Sequence, residues 1–202
     1  MFDWSKYLAY AEVYQLKKGT VLFRQGDRTS GFYYVKDGKV KISVLREDGY
    51  ERIIDFVFPG SLVGEQMINN TASFTTAKLI VDSTLFYFSK EEYELLVNKH
   101  PVVSQHFETS LIKKIRLLAN INSILNAPLE IQLAYFILNL YEKENTEVLE
   151  FSQTSLSKYI GKSRVSVWKV LKEWRNDKVI EIKNQTITIK NINQLRQKLK
   201  SG

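Results

Sequence analysis

Cysteine is absent from the 202 residues, and histidine occurs only twice. The first absence excludes disulfides, thiolate metal clusters and a cysteine redox sensor. Proline is held to three positions. Each stands at an expected boundary: Pro59 closes a strand, Pro101 opens a helix and Pro128 breaks one. No apolar run approaches the ~20 residues of a membrane span. The first residues, MFDWSKYLAYAEVY, lack a basic segment followed by an apolar core, so no secretory signal is expected and a cytoplasmic protein is the simplest expectation. There is no phosphate loop of the Gly-x-x-x-x-Gly-Lys type, no nucleophile–base motif and no metal-ligand spacing. An enzyme is therefore not expected, nor a cofactor or a metal.

What is present is unevenly charged. Residues 1–151 hold 17 Lys/Arg against 19 Asp/Glu, a net −2, while residues 152–202 hold 12 against 3, a net +9. A basic end on a mildly acidic body points to a polyanion partner for that end alone. A membrane surface is the competing polyanion. It would be served by one basic amphipathic helix, and the pattern here is different.

Seven of these twelve basic residues fall in SQTSLSKYIGKSRVSVWKVLKEWRNDKVIE, residues 152–181. Ser152 is placed to cap a first helix, on which Leu156 and Ile160 share a face. Gly161 suits a turn with positive φ, and Ser163 caps a second helix. Val167, Val170, Leu171 and Trp174 follow i, i+3, i+4, i+7, which gives that helix one apolar face. Arg164, Val165, Trp168, Lys169 and Lys172 take the other. Two short helices about a glycine turn, the second one basic, form a helix-turn-helix pattern. An ordinary helical hairpin with a solvated basic face has the same periodicity. Beyond it, 179–182 and 186–189 flank Lys183-Asn184-Gln185 as a two-stranded wing, and 195–199 reads as a short helix.

Upstream, residues 12–88 read as short strands at close spacing. Glu12–Leu16, 21–23, 32–35, 40–44, 52–58, 73–81 and 85–88 alternate or are rich in aromatic and β-branched residues. Asp37-Gly38 and Asp48-Gly49 are hairpin signals of type I′. A small sandwich or barrel is expected, with a jelly roll the best match. Ser89 caps a helix over 90–99 whose first turn carries Glu91 and Glu92, where they favour the dipole. A longer helix runs from Pro101 to about Leu125. Its stripe is Phe107, Leu111, Ile115, Leu118, Asn122 and Leu125, heptad-like from Leu111 onward. Packing against its own domain and a coiled-coil dimer seam both produce such a stripe, and the narrow apolar band with polar flanks favours the seam. Asn126-Ala127-Pro128 is the expected hinge, followed by an amphipathic helix over 129–142 and a polar connector over 142–147.

The ordered set VLFRQGDRTSGFYYVKDGKVKI (21–42), PGSLVGE (59–65) and IGKSRVSVWKVLKEW (160–174) resembles the superfamily of the cyclic-AMP receptor protein and the fumarate-nitrate regulator, over nearly the whole chain. The resemblance implies an α+β architecture. Residues 1–100 would form a cyclic-nucleotide-binding-like β-roll, 101–126 a dimerisation helix and 127–202 a winged helix-turn-helix. It implies a homodimer on pseudo-palindromic double-stranded DNA that recruits or blocks RNA polymerase. By the family pattern Arg164 is the first base reader, suited to guanine O6 and N7, and Lys169 takes a base or a phosphate. Val165 departs from the glutamate often found there. It cannot accept a hydrogen bond from cytosine but can touch a thymine methyl. Ser166 and Trp168 are further base-facing candidates, with packing the other role open to Trp168. Ser152, Thr154, Ser157, Lys158, Lys162, Lys183 and Asn184 are candidates for phosphate contact.

In cyclic-nucleotide-binding relatives a Gly-Glu pair opens a helix that cradles the phosphate, and an arginine eleven residues after that glycine pairs with it. Gly64-Glu65 is present, but the count reaches Thr75, followed by Thr76 and Ala77. Without a charge-assisted contact, burying the phosphate loses several kcal/mol, so cyclic AMP is not expected and any small-molecule effector is open. Glu65 is then a capping or fold residue, or a remnant of an effector pocket with Gly64, Thr75 and Thr76. An iron–sulfur sensor lacks its cysteines. A haem sensor would need His100 or His106, which read as structural or solvent-facing. The competing function is a ligand-sensing or interaction module whose basic tail binds RNA or a partner without sequence preference.

Overall fold

A computed structural model describes residues 4–184 and 186–199. Two compact units divide between Leu117 and Leu118.

In the first unit a 3-10 turn, Trp4–Tyr10, precedes eight strands: β1 (Glu12–Leu16), β2 (Val21–Phe23), β3 (Gly31–Asp37), β4 (Val40–Leu45), β5 (Glu51–Val57), β6 (Leu62–Val63), β7 (Thr76–Leu79) and β8 (Ser83–Ser89). They form two antiparallel four-stranded sheets, ordered β1-β8-β3-β6 and β2-β7-β4-β5. This is the expected roll. Asp37-Gly38, however, makes no hairpin. β3 pairs with β8 and β6, whereas β4 pairs with β5 and β7, so the glycine carries the chain from one sheet to the other. Gly38 has φ 102°, and a Cβ there would lie 2.8 Å from the Ser83 Cα. Conformation and close approach both require glycine. Asp48-Gly49 does lie in a hairpin, but its loop has three residues: Gly49 N–H donates to Arg46 C=O (2.9 Å) and Arg46 N–H to Tyr50 C=O (3.0 Å). Expected strand 73–81 shortens to β7 because the Ser73 hydroxyl takes the Thr75 N–H (3.2 Å) and donates to the Thr75 C=O (2.8 Å). β6 is two residues long, too short to show a period.

β3 is apolar on both faces. Val35 joins Val40, Ile42 and Leu85 inside the roll, with Tyr33 packed against them. Phe32 and Tyr34 point outward into a second core with Trp4, Phe88, Leu96 and Phe107. There Phe32 stacks on Phe88 at 5.3 Å, and Trp4 stands edge-on to both. This outer core receives α1 (Lys90–Lys99) and the start of α2 (Val102–Ser123). Ser89 and Glu92 close a capping box at α1, so Glu92 acts through a hydrogen bond beyond its charge. His100 lies beside the rings of Tyr7 and Tyr10.

The second unit holds the rest of α2, then α3 (Leu129–Glu144), β9 (Val148–Glu150), α4 (Gln153–Ile160), α5 (Arg164–Asn176), β10 (Ile180–Lys183), β11 (Thr186–Ile189) and α6 (Ile192–Lys198). α2 ends where expected, ahead of Pro128. Buried Gln132 donates from Nε2 to Leu125 C=O (3.0 Å) and Ala127 C=O (2.8 Å), which ties this break to α3. The polar connector ends in a strand that sequence reasoning missed: β9 pairs with β11 and extends the wing to three strands, β10-β11-β9.

Burial, reinforced by Tyr87 and Tyr14, pushes the Tyr33 phenol up to about 12. A free tyrosine titrates near ~10. The folded state therefore holds this proton more tightly than the unfolded chain does. The corresponding stability is whole below pH ~10 and is lost as the pH climbs toward about 12. Urea unfolding across that window should show the loss in the native chain and a smaller one in Tyr33→Phe.

Candidate nucleic-acid interface

The interface is built outward from the core of the second unit. Val167, Leu171 and Trp174 are fully buried on one face of α5. The Trp174 indole N–H donates to Glu130 Oε1 of α3 at 3.3 Å. Phe136 of α3 packs on Tyr159 of α4 at 4.0 Å and edge-on to Phe151 at 5.7 Å. Together these contacts set both helices on one support. Ser152 and Ser163 are N-caps as expected, each hydroxyl accepting an N–H at 3.1 Å, from Ser155 and Ser166 respectively. Gly161, at φ 76°, makes the left-handed turn between the helices.

With one face of α5 buried, the opposite face is turned to solvent. Arg164, Ser166 and Lys169 are exposed, and Val165 is 79% exposed. An apolar side chain so bare on a basic helix has nothing to pack against within its own unit. Ser166 also sits 2.8 Å, hydroxyl to hydroxyl, from the cap Ser163. Trp168 is half-buried, with the Arg175 guanidinium over its ring at 5.7 Å. Its ring therefore has an intramolecular partner while the residue stays partly exposed.

Arg164 also walls a cleft of about 330 Å³ with Ser152, Gln153 and Thr154 at the start of α4, and Ile182 and Ile187 of the wing. A guanidinium beside a helix N-terminus suits an anion. Gln153 was missed by sequence reasoning; its place directly after the Ser152 cap was the available signal. Among the phosphate candidates, Thr154, Lys162, Lys183 and Asn184 are exposed, and Lys158 and Ser152 are half-buried. Asn184 turns the wing at φ 47°. Gln185, expected in that turn, lies outside the described residues. Ser157 is corrected: it is buried, and its hydroxyl donates to Thr154 C=O at 2.9 Å, so it supports α4 from inside.

In the roll, Gly64 takes φ 94° and opens a 3-10 turn, Glu65–Met67. Glu65 is buried, and its carboxylate is bound by Ser110 and Lys114 of α2. Thr75 is buried too, its hydroxyl 3.2 Å from Gln66 Nε2. Half-buried Thr76 accepts the Gln25 N–H at 3.0 Å. The place of the missing arginine thus holds a neutral amide–hydroxyl network. On α2, Phe107 is corrected out of the expected seam, since it is buried in the aromatic core, and Leu111 packs against the same cluster. Ile115 is 66% exposed, Leu118, Asn122 and Leu125 are also exposed, and Ile112, missed in the sequence, joins them at 55%.

Comparison with known proteins agrees with this geometry. Residues 13–100 match the model of the cyclic nucleotide-binding domain, and residues 132–198 that of the Crp-like helix-turn-helix domain. The HTH-type transcriptional regulator Cmr of Mycobacterium tuberculosis is 24% identical over 93% of this chain and 78% of its own. The cyclic AMP receptor protein of Thermus thermophilus is 24% identical over 91% and 86%. The structure of FixK2 from Bradyrhizobium japonicum has the same fold, with a TM-score of 0.82, 16% identity and coverage of 93% and 96%. The chain belongs to the Crp/Fnr family of DNA-binding transcription regulators. Among the described residues no helix is long and apolar enough to cross a membrane.

Buried and exposed polar residues should separate by experiment. Ser157→Ala should cost about 1 kcal/mol in urea unfolding and leave the salt dependence of DNA binding unchanged. Lys162→Ala should do the reverse, lowering the slope of log K against log salt by about 1 with stability unaltered.

Proposed function

We propose that this regulator is a cytoplasmic homodimer that reads a pseudo-palindromic operator in double-stranded DNA and acts on RNA polymerase, without cyclic AMP and without enzymatic activity. Residues 1–100 serve as the sensor-type roll, 101–126 as the dimerisation helix and 127–202 as the reading unit. The observation that carries this is the solvent face of α5. Arg164, Val165 and Lys169 stand there together, beside the start of α4, in the segment 152–202 that carries a net +9.

Arg164 takes guanine through O6 and N7, and Val165 meets a thymine methyl, so the half-site carries thymine at that step. Thr154, Lys162, Lys183 and Asn184 hold the backbone and fix register. Ile112, Ile115 and Leu118 lie exposed on α2, and Leu125 just past its end. A lone chain would leave this apolar band in water, and a second copy of α2 laid along it covers it. Two recognition helices about a twofold axis then meet major grooves one turn apart. Cyclic AMP is disfavoured because the amide–hydroxyl network at Thr75 offers its phosphate no cation.

Selection from a random DNA pool with purified protein tests the whole reading. It should return a palindrome, and recovery of unrelated fragments with equal affinity would sink it. Arg164→Ala should weaken operator binding by roughly 1–3 kcal/mol and relax one base position. Millimolar cyclic AMP should leave the melting temperature of the protein unmoved, whereas an upward shift would show binding.

A further inference from the structure

The Glu65 side chain is 1% exposed, yet its carboxylate is fully engaged. Oε1 accepts from the Ser110 hydroxyl at 2.7 Å, and Oε2 is paired with the Lys114 ammonium. Lys114 also donates to Leu62 C=O at 3.0 Å, at the start of β6. Ser110 and Lys114 are one turn apart on α2 and so share a face. The carboxylate belongs to the roll, and both of its side-chain partners among the described residues come from the helix.

A buried carboxylate without a cation is strongly disfavoured. The roll therefore carries a charge that something outside its own strands must answer. Its neighbouring polar groups do not help: Gln66, Ser73 and Thr75 are neutral and bound to one another. The group that completes this region is a hydroxyl plus an ammonium, and α2 delivers both.

We propose that Lys114 and Ser110 form a built-in ligand of the roll, holding the first half of α2 on Glu65 so that no added effector is needed to fasten it. The proposal deepens the reading above, since it rests on α2 being the helix through which the roll governs the reading unit. Its chemistry also defines what could substitute for the lysine: a small primary ammonium, which brings a positive charge and N–H donors.

The test makes the internal ligand external. Purified full-length protein, unfolded and refolded to strip small molecules, is compared with Lys114→Ala, Lys114→Arg and Ser110→Ala by hydrogen exchange and thermal unfolding. In Lys114→Ala, amides over 108–116 should exchange about tenfold faster and the melting temperature should fall by about 5 °C. Lys114→Arg should restore most of both, and Ser110→Ala should show a smaller loss. Propylammonium chloride on the order of 10 mM should slow exchange again in Lys114→Ala, while tetramethylammonium and sodium chlorides at equal ionic strength should not. Wild-type exchange rates in Lys114→Ala and Ser110→Ala would overturn the proposal, as would equal rescue by all three salts. Should Lys114→Ala fail to fold alone, folding promoted by propylammonium and not by the other salts supports it, and no difference among salts overturns it. Operator selection by the stripped wild type is scored separately. If it selects no palindrome while the exchange results hold, the DNA reading falls and the built-in ligand stands.

Discussion

A strand with no polar face cannot end at the surface of a sandwich, and β3 is such a strand. Val35 and Tyr33 fill one side of the sheet, while Phe32 and Tyr34 must be covered on the other. The cover is Trp4 with the first turns of α2, through Val103 and Phe107. Burying several large aromatic side chains at ~2 kcal/mol each outweighs any cap or surface ion pair in this unit. The helix is therefore part of the roll's own core before it is anything else, and the ion pair at Glu65 forms a turn or two further along the same face.

The second unit applies the same economy to a smaller support. Trp174, Val167 and Leu171 face inward, so the residues between them in the helical period have to face water. What stands there is a guanidinium, an ammonium and a bare valine. The cap serines, the left-handed glycine and the buried Ser157 hydroxyl satisfy backbone groups at the two helix ends, which leaves the outer side chains free of structural duty. Trp168 is the intermediate case, with the Arg175 guanidinium over its ring yet still partly exposed.

The Gly64-Glu65 pair and Thr75 differ in how their charge is met. Gly64 makes the left-handed turn, and the Glu65 carboxylate is occupied from within the chain. Thr75, where an arginine would face a phosphate, is bonded into a neutral network. One site thus holds a satisfied negative charge and the other no charge at all.

Local patterns carried much of this architecture in the sequence. The period-3.6 face of α5, the Ser89 and Ser152 caps, Gly161 and the break before Pro128 are set by a few neighbouring residues, and they are where the pattern placed them. The charge split and the motif order were likewise legible, and the threonine in the arginine's place could be counted. The rest depended on contacts distant in the chain. Asp37-Gly38 looks like a hairpin because turn chemistry is local, whereas the choice of β8 over β4 as partner depends on residues some fifty positions away. β6 and β9 are too short to have a period and exist only because a neighbouring strand offers hydrogen bonds. Phe107 fits a heptad by spacing, but the aromatic core claims it, and Ser157 resembles an exposed serine until its hydroxyl is seen to donate to the Thr154 C=O. Glu65 shows the difference most plainly: its place in the motif was readable, but its counter-charge lies 49 residues away on another element. The sequence by itself determined which residues would cap, turn and face inward, because those depend on near neighbours. Only the tertiary structure decided which charge answers which, because burial removes water as the alternative partner.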